Sequence, residues 1–254
     1  QSYHDANHSA DASVFSPHYQ SWIWAVFLKC YDVSGYTPFK DRATRAIRDM
    51  MDNYPTMWQA TANGITMQRA RMLLPLAWLV RVDGTAESAE WLARVADGLL
   101  ARQAPSGFFR EEISAEGWGG AAQTPNNENY GTFESPLNQN NSDPVADLLY
   151  TQNFAFAGLV EAAAATNNAT YAAAADKLAD ALVRAQATGA AAAGAPQEWS
   201  QPTLEGAWPR AFDFDKWDYW GSDADAGWGA FSTETGWTTT WITHSLVLRG
   251  AATS

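Results

Sequence analysis

Leu99-Leu100-Ala101-Arg102-Gln103, followed by Gly107-Phe108-Phe109-Arg110, returns later in the chain as Leu182-Val183-Arg184-Ala185-Gln186, followed by Gly206-Ala207-Trp208-Pro209-Arg210. Each copy ends an apolar-periodic segment on glutamine and passes into glycine, an aromatic residue and arginine. Such a recurrence is expected of helical hairpins stacked about a common axis, because one hairpin cannot bury its apolar face alone.

The segments around the two copies carry helical periodicity. Ser16-Pro17 is a helix-start signal, and His18 to Val33 places Trp22, Val26 and Cys30 at four-residue spacing. After Ser34-Gly35, a second helix opens at Pro38, with Phe39, Ala43, Ala46, Ile47 and Met50 on one face and Lys40, Arg42, Arg45 and Arg48 on the other. Ile65 to Val82 reads as a third, kinked at Pro75. Glu87 to Gln103 reads as a fourth, with Trp91, Val95, Leu99 and Leu100 on its apolar face. A fifth is expected from Pro144 to about Ala165, a sixth from Thr170 to Gln186 and a seventh from Trp237 to Arg249. Two long connections, Ala104 to Asp143 and Ala187 to Thr235, are rich in Gly, Asn, Asp and Trp, and connections of that length inside a compact domain usually carry function. The expected class is all-α: antiparallel helical hairpins about a common axis, one domain over residues 1–254.

Composition narrows the partners. Against 16 basic side chains stand 28 acidic ones, a formal charge of −12, which repels nucleic acid and anionic membranes at long range. No apolar run approaches the ~18–20 residues that cross a bilayer. Cys30, the single cysteine, is expected to be a buried, inert thiol, and excludes a disulfide within the chain. The surface chemistry fits an extracellular or periplasmic protein.

With its hairpins and its repeated glutamine, glycine, aromatic and arginine pattern, the chain resembles the helical-toroid, six-hairpin glycosidase superfamily of glycoside hydrolases and polysaccharide lyases. The likeness covers most of Pro17 to Arg249 and rests on hairpin periodicity and loop style. It implies a partial (α/α) toroid of about seven helices with two long loops, a glycan substrate and a carbohydrate-active enzyme. The superfamily's closed toroid needs more helices than seven, so further hairpins are expected from a missing N-terminal region, this chain being the C-terminal part of a larger protein, or from a partner chain.

The first connection carries Arg110-Glu111-Glu112, then Glu128, Tyr130, Gly131, Phe133 and Glu134, and ends near Asp143 and Asp147. Glycoside hydrolysis needs one protonated and one ionised carboxyl, and burial beside aromatic rings separates their pKa values. Glu128 and Glu134, amid ring surface and permissive backbone, are the acid/base candidates here, whereas Glu111 and Glu112 read as solvated loop charges. The second connection adds Asp213 as a third candidate and packs Trp208, Trp217, Trp220 and Trp228 into twenty-one residues. Sugar C–H faces stack on such rings, so these tryptophans, with Arg110, Tyr130 and Arg210, are the expected substrate-binding residues. The same loop could instead fold over the hairpin ends with its tryptophans filling core.

Asp223-Ala-Asp225 matches only a fragment of a calcium loop, lacking the third ligand and terminal Glu at their spacing, so no metal is expected, and no cofactor. No Gly-x-Ser-x-Gly elbow, Cys/His pair or phosphate loop occurs. Two alternatives stand beside hydrolysis. A polysaccharide lyase would draw on Tyr130, His18 and Arg110, the arginine neutralising a uronate, and a noncatalytic glycan-binding or structural module would use the same aromatic residues without cutting.

Overall fold

The computed structural model describes residues 15–58, 64–112, 143–187, 205–219 and 237–252. Local signals set the ends of the early helices. Helix α1 (Pro17–Ser34) begins on proline, whose missing N–H has no helical partner to lose there, and ends at Gly35 in the left-handed conformation, whose amide returns to the Tyr31 carbonyl. Helix α2 (Thr37–Asp52) buries Ala43, Ile47, Met50 and Met51 on the expected stripe, while Arg48 grips Glu87 through two bonds of 2.6 and 2.7 Å. Helix α3 (Ile65–Asp83) runs through Pro75, which leaves the Arg71 carbonyl without its usual helical donor. Helix α4 (Ala86–Leu100) is capped by Thr85, whose hydroxyl accepts from the Ser88 amide. Cys30 is half-buried rather than sealed in the core.

Helix α5 (Asn153–Thr166), helix α6 (Ala169–Ala185) and helix α7 (Trp237–Ala252) complete the set of seven among the described residues. Helices α1, α3, α5 and α7 pack side by side in that order, and α2, α4 and α6 back α1, α3 and α5. At the α3/α5 crossing a Cβ on Gly158 would stand 2.5 Å from Leu73 Cβ, so the backbones approach only because that residue has none. Across the row the Trp22 side chain of α1 reaches Trp241 of α7, their rings 4.2 Å apart, with Phe154 of α5 5.2 Å from Trp22. Ile23 and Val26 on α1 and Val247 and Leu248 on α7 stay exposed, as expected of the two edges of a partial ring.

The fifth helix starts later than its sequence suggests. Residues after Pro144 first form strand β1 (Val145–Asp147) and a π-helical turn (Leu148–Gln152). The cause is pairing with the second connection: β1 lies antiparallel to β2 (Ala211–Asp213), which pairs with β3 (Asp218–Tyr219) in the order β1-β2-β3. Each connection leaves a backing helix at its C-terminus and enters the next row helix at its N-terminus, so both meet at one end of the helix row.

The repeat is as real in space as in sequence. Gln103 donates its side-chain amide to the Gly107 carbonyl (3.0 Å), and Gln186 donates to that of Gly206 (2.7 Å). The Ala104 amide donates to Phe108 O and that of Ala187 to Ala207 O, and both glycines have positive φ, 108° and 84°. Counted from those glycines, Arg210 corresponds to Glu111 rather than to Arg110. Two buried side chains, a carboxyl and a guanidinium, therefore occupy equivalent places.

Candidate active site at the meeting of the two connections

The π-helical turn is the hub, and such turns are frequent at functional sites because they break the regular backbone ladder. Asp147 caps it, its Oδ1 accepting from the amides of Leu149 (3.0 Å) and Tyr150 (2.9 Å). Two N–H dipoles aimed at one oxygen favour negative charge there. The Leu148 amide donates to the Arg210 carbonyl (2.7 Å), tying the second connection to the turn.

Glu111, from the first connection, is 7% exposed. Burial, and after it the negative charge of Asp147, pushes its carboxyl well above the ordinary carboxylate range, against smaller opposing effects of the Thr151 hydroxyl and the Asp147 amide. Glu111 Oε1 and Thr151 Oγ1 are buried without a hydrogen bond of full geometry, so the hydroxyl supports the anion only weakly. A carboxyl whose acid form burial favours thus lies beside the amide-capped side chain of Asp147. Its neighbour Glu112 differs, pairing with Arg102 (2.5 Å) and Arg69 (3.5 Å) nearer the surface.

Tyr150 gathers the remaining polar groups. The guanidinium of Arg71 lies 5.4 Å from its ring centroid and that of Arg210 5.3 Å, while the His18 ring lies 5.5 Å away. Arg71 also donates to His18 O (2.9 Å) and Gln68 Oε1 accepts from the His18 amide (2.9 Å), so the first turns of α1 and α3 are laced together beside the π turn.

The expected site residues fall into three groups. Glu128, Glu134, Tyr130, Trp220 and Trp228, like Asp223 and Asp225, lie outside the described residues. Asp213 is on β2, and its Oδ1 accepts from the Asp215 (3.1 Å) and Lys216 (2.9 Å) amides while Oδ2 meets Lys216 Nζ at 3.3 Å, so it closes the β2–β3 turn. Trp208 is a correction: at 2% exposure it fills core, and its indole N–H donates to the Leu182 carbonyl (2.7 Å), as Trp58 does to Met50 O (3.1 Å). Trp217 stays 36% exposed at positive φ (59°), carrying Arg184 4.4 Å from its ring and meeting Phe212 edge-on. Arg110 lies over Phe214 (5.0 Å), and Arg210 is buried at Tyr150. Glu111 is the second correction: it is no solvated loop charge. Asp147, Tyr150 and Arg71 complete the cluster, and the isolated Asp before an apolar run was the available signal for the cap.

No protein-family model and no curated relative matches the sequence. Among solved structures the chain is similar to a D-mannose isomerase, with a TM-score of 0.53 and 16% identity over 80% of this chain and 48% of that one. It is also similar to the GH76A α-1,6-mannanase of Salegentibacter sp. HEL1_6, with a TM-score of 0.50 and 13% identity over 95% of this chain and 77% of that one. The fold is the six-hairpin, helical-toroid glycosidase fold, present in part. An inactive variant of that mannanase, changed at two consecutive aspartates and bound to α-1,6-mannotriose, aligns on the same toroid with a TM-score of 0.51 and 14% identity, over 95% of this chain and 77% of that one. This chain spans about half the length of the isomerase, 48%.

Proposed function

We propose that this chain belongs to a carbohydrate-active enzyme, a glycoside hydrolase in which Glu111 is the proton donor and Asp147 its ionised partner. The observation that carries the reading is the buried Glu111 carboxyl beside the capped Asp147, pushed well above the ordinary carboxylate range by burial and then by the Asp147 charge. In the hydrolysis the Glu111 proton passes to the glycosidic oxygen as its bond to the anomeric carbon breaks. Water adds to that carbon and gives its proton to Asp147. Arg110 and the exposed Trp217 would hold the sugar, at the end where the two connections meet, and the buried Arg210 would support the site from behind. The mannanase inactivated at two consecutive aspartates suggests mannan oligosaccharides as a first probe. This sequence has no Asp-Asp pair, and Glu111-Glu112 is its one adjacent pair of acids, so the residues are assigned from this chain alone. Such an enzyme would act extracellularly or in a periplasm.

The Tyr150 cluster favours a second reading, β-elimination from a uronate. There the flanking Arg71 and Arg210 would neutralise the sugar carboxylate, and Tyr150 or His18 would move the proton. One experiment separates the readings: incubation with α-1,6-mannan and uronate-containing oligosaccharides, reading reducing ends and the absorbance of a new double bond. Hydrolysis predicts reducing ends without absorbance, and a loss of about 10²–10⁴-fold in Glu111→Gln and in Asp147→Asn, which keeps the cap acceptor. Absorbance would transfer the activity to the lyase reading. Binding without products would leave a glycan-binding module, and full activity in both variants would remove this pair from catalysis.

A further inference from the structure

The loop that carries Glu111 has little regular structure of its own, yet its backbone is fastened on both sides. On one side Gln152, wholly buried in the π-helical turn, accepts from the Phe109 amide through Oε1 (2.9 Å) and donates to the Phe109 carbonyl through Nε2 (2.9 Å). On the other, the Glu112 amide donates to Thr66 Oγ1 (2.8 Å), and the Ile65 amide donates to the Glu112 carbonyl (2.9 Å). Between the two clasps lie Arg110, whose amide donates to the Arg102 carbonyl (2.9 Å), and Glu111. A carboxamide is the side chain that presents donor and acceptor in one plane, so it pairs with a residue's N–H and C=O as a neighbouring strand would. In α3 the buried Gln68 plays a like part, accepting from the His18 amide and donating to Ser16 Oγ (2.9 Å).

We propose that Gln152 is a positioning residue: by clasping both backbone groups of Phe109 it fixes the Glu111 carboxyl against Asp147. The two carboxyls are then referenced to one five-residue turn, because Asp147 caps the turn in which Gln152 sits. The role rests on the reading of Glu111 as the proton donor. Asp147 acts on Glu111 from β1, and Thr151 from the turn. Arg69 and Arg102 engage the adjoining Glu112, and Arg71 and Arg210 flank Tyr150. Cutting the clasp lets the carboxyl swing away from Asp147 and toward solvent, which strengthens it as an acid.

The test is a carboxyl ¹³C titration of the whole chain, with the Glu111 signal assigned by its absence in Glu111→Gln. Wild type should titrate above the ordinary carboxylate range, and Gln152→Ala should lower the midpoint by about one pH unit, a tenfold loss of proton affinity. If Gln152→Ala does not fold, Gln152→Asn serves, since it keeps a buried amide but is a methylene too short to reach both groups. A folded variant of lower Tm whose Glu111 midpoint coincides with wild type would overturn the proposal, because a purely structural glutamine would do that. The titration needs no substrate. A failed clasp is therefore distinguishable from failed hydrolysis, which leaves the midpoints unchanged.

Discussion

Replacing the Glu111 carboxyl by the isosteric amide should stabilise the protein above neutrality. The folded-state pKa is raised by burial and by Asp147, so between the unfolded and folded values the folded protein holds a proton that the unfolded chain has released. Stability is therefore undiminished below the unfolded pKa and lost as pH rises through the folded one. Glu111→Gln removes that slope, and at pH 8 should raise the unfolding free energy, read from urea denaturation. A second test concerns Gly107. At φ 108°, with an added Cβ 2.3 Å from the Lys177 carbonyl oxygen, Gly107→Ala should cost about 2–4 kcal/mol by the same measurement. At this scale the sequence tells only part of the site. Arg110-Glu111-Glu112 looks like any solvated charge run, since what buries Glu111 is fixed by Gln152 and Thr66, which bond its neighbours from 43 and 46 residues away. The recurring glycine was legible because its strained φ demands glycine in both copies.

Helix ends marked by a glycine or a polar cap were readable to within a residue or so: Gly35 and Gly84 end α1 and α3, and Asn168 caps α6, whereas α4, with no such stop, ends at Leu100 and not at the expected Gln103. The start of α5 was not. Strands of two or three residues carry no alternation to read, and β1 finds β2 only after two intervening helices. The tryptophans divide at this scale as well. Trp208→Ala should cost about 3–5 kcal/mol of stability, because it empties core and strands the Leu182 carbonyl. Trp217→Ala should change stability far less but weaken glycan binding about tenfold (~1.4 kcal/mol), measured by titration calorimetry. At the α3/α5 contact, Gly158→Ala should lower stability by about 1–3 kcal/mol, since Leu73 Cβ leaves no room for a methyl group.

For the whole molecule, the repeat foretold stacked hairpins, while their number and the exposed edges on α1 and α7 mark a part of a toroid. What the sequence left open was which side chains the two connections bring together, because that depends on the β1/β2 pairing and on the π-helical turn between them. That pairing brings Arg210 to Tyr150, and the Gln152 and Thr66 bonds bring its equivalent, Glu111, to Asp147 of the same turn. The most direct measurement is a crystal structure of the Glu111→Gln protein with a bound oligosaccharide that the wild type cleaves. The sugar is predicted at the end where the connections meet, its glycosidic oxygen within hydrogen-bond distance of the side chain at position 111 and a pyranose ring against Trp217. A sugar seated at the opposite end of the helix row, or one that touches neither position 111 nor Asp147, would contradict it.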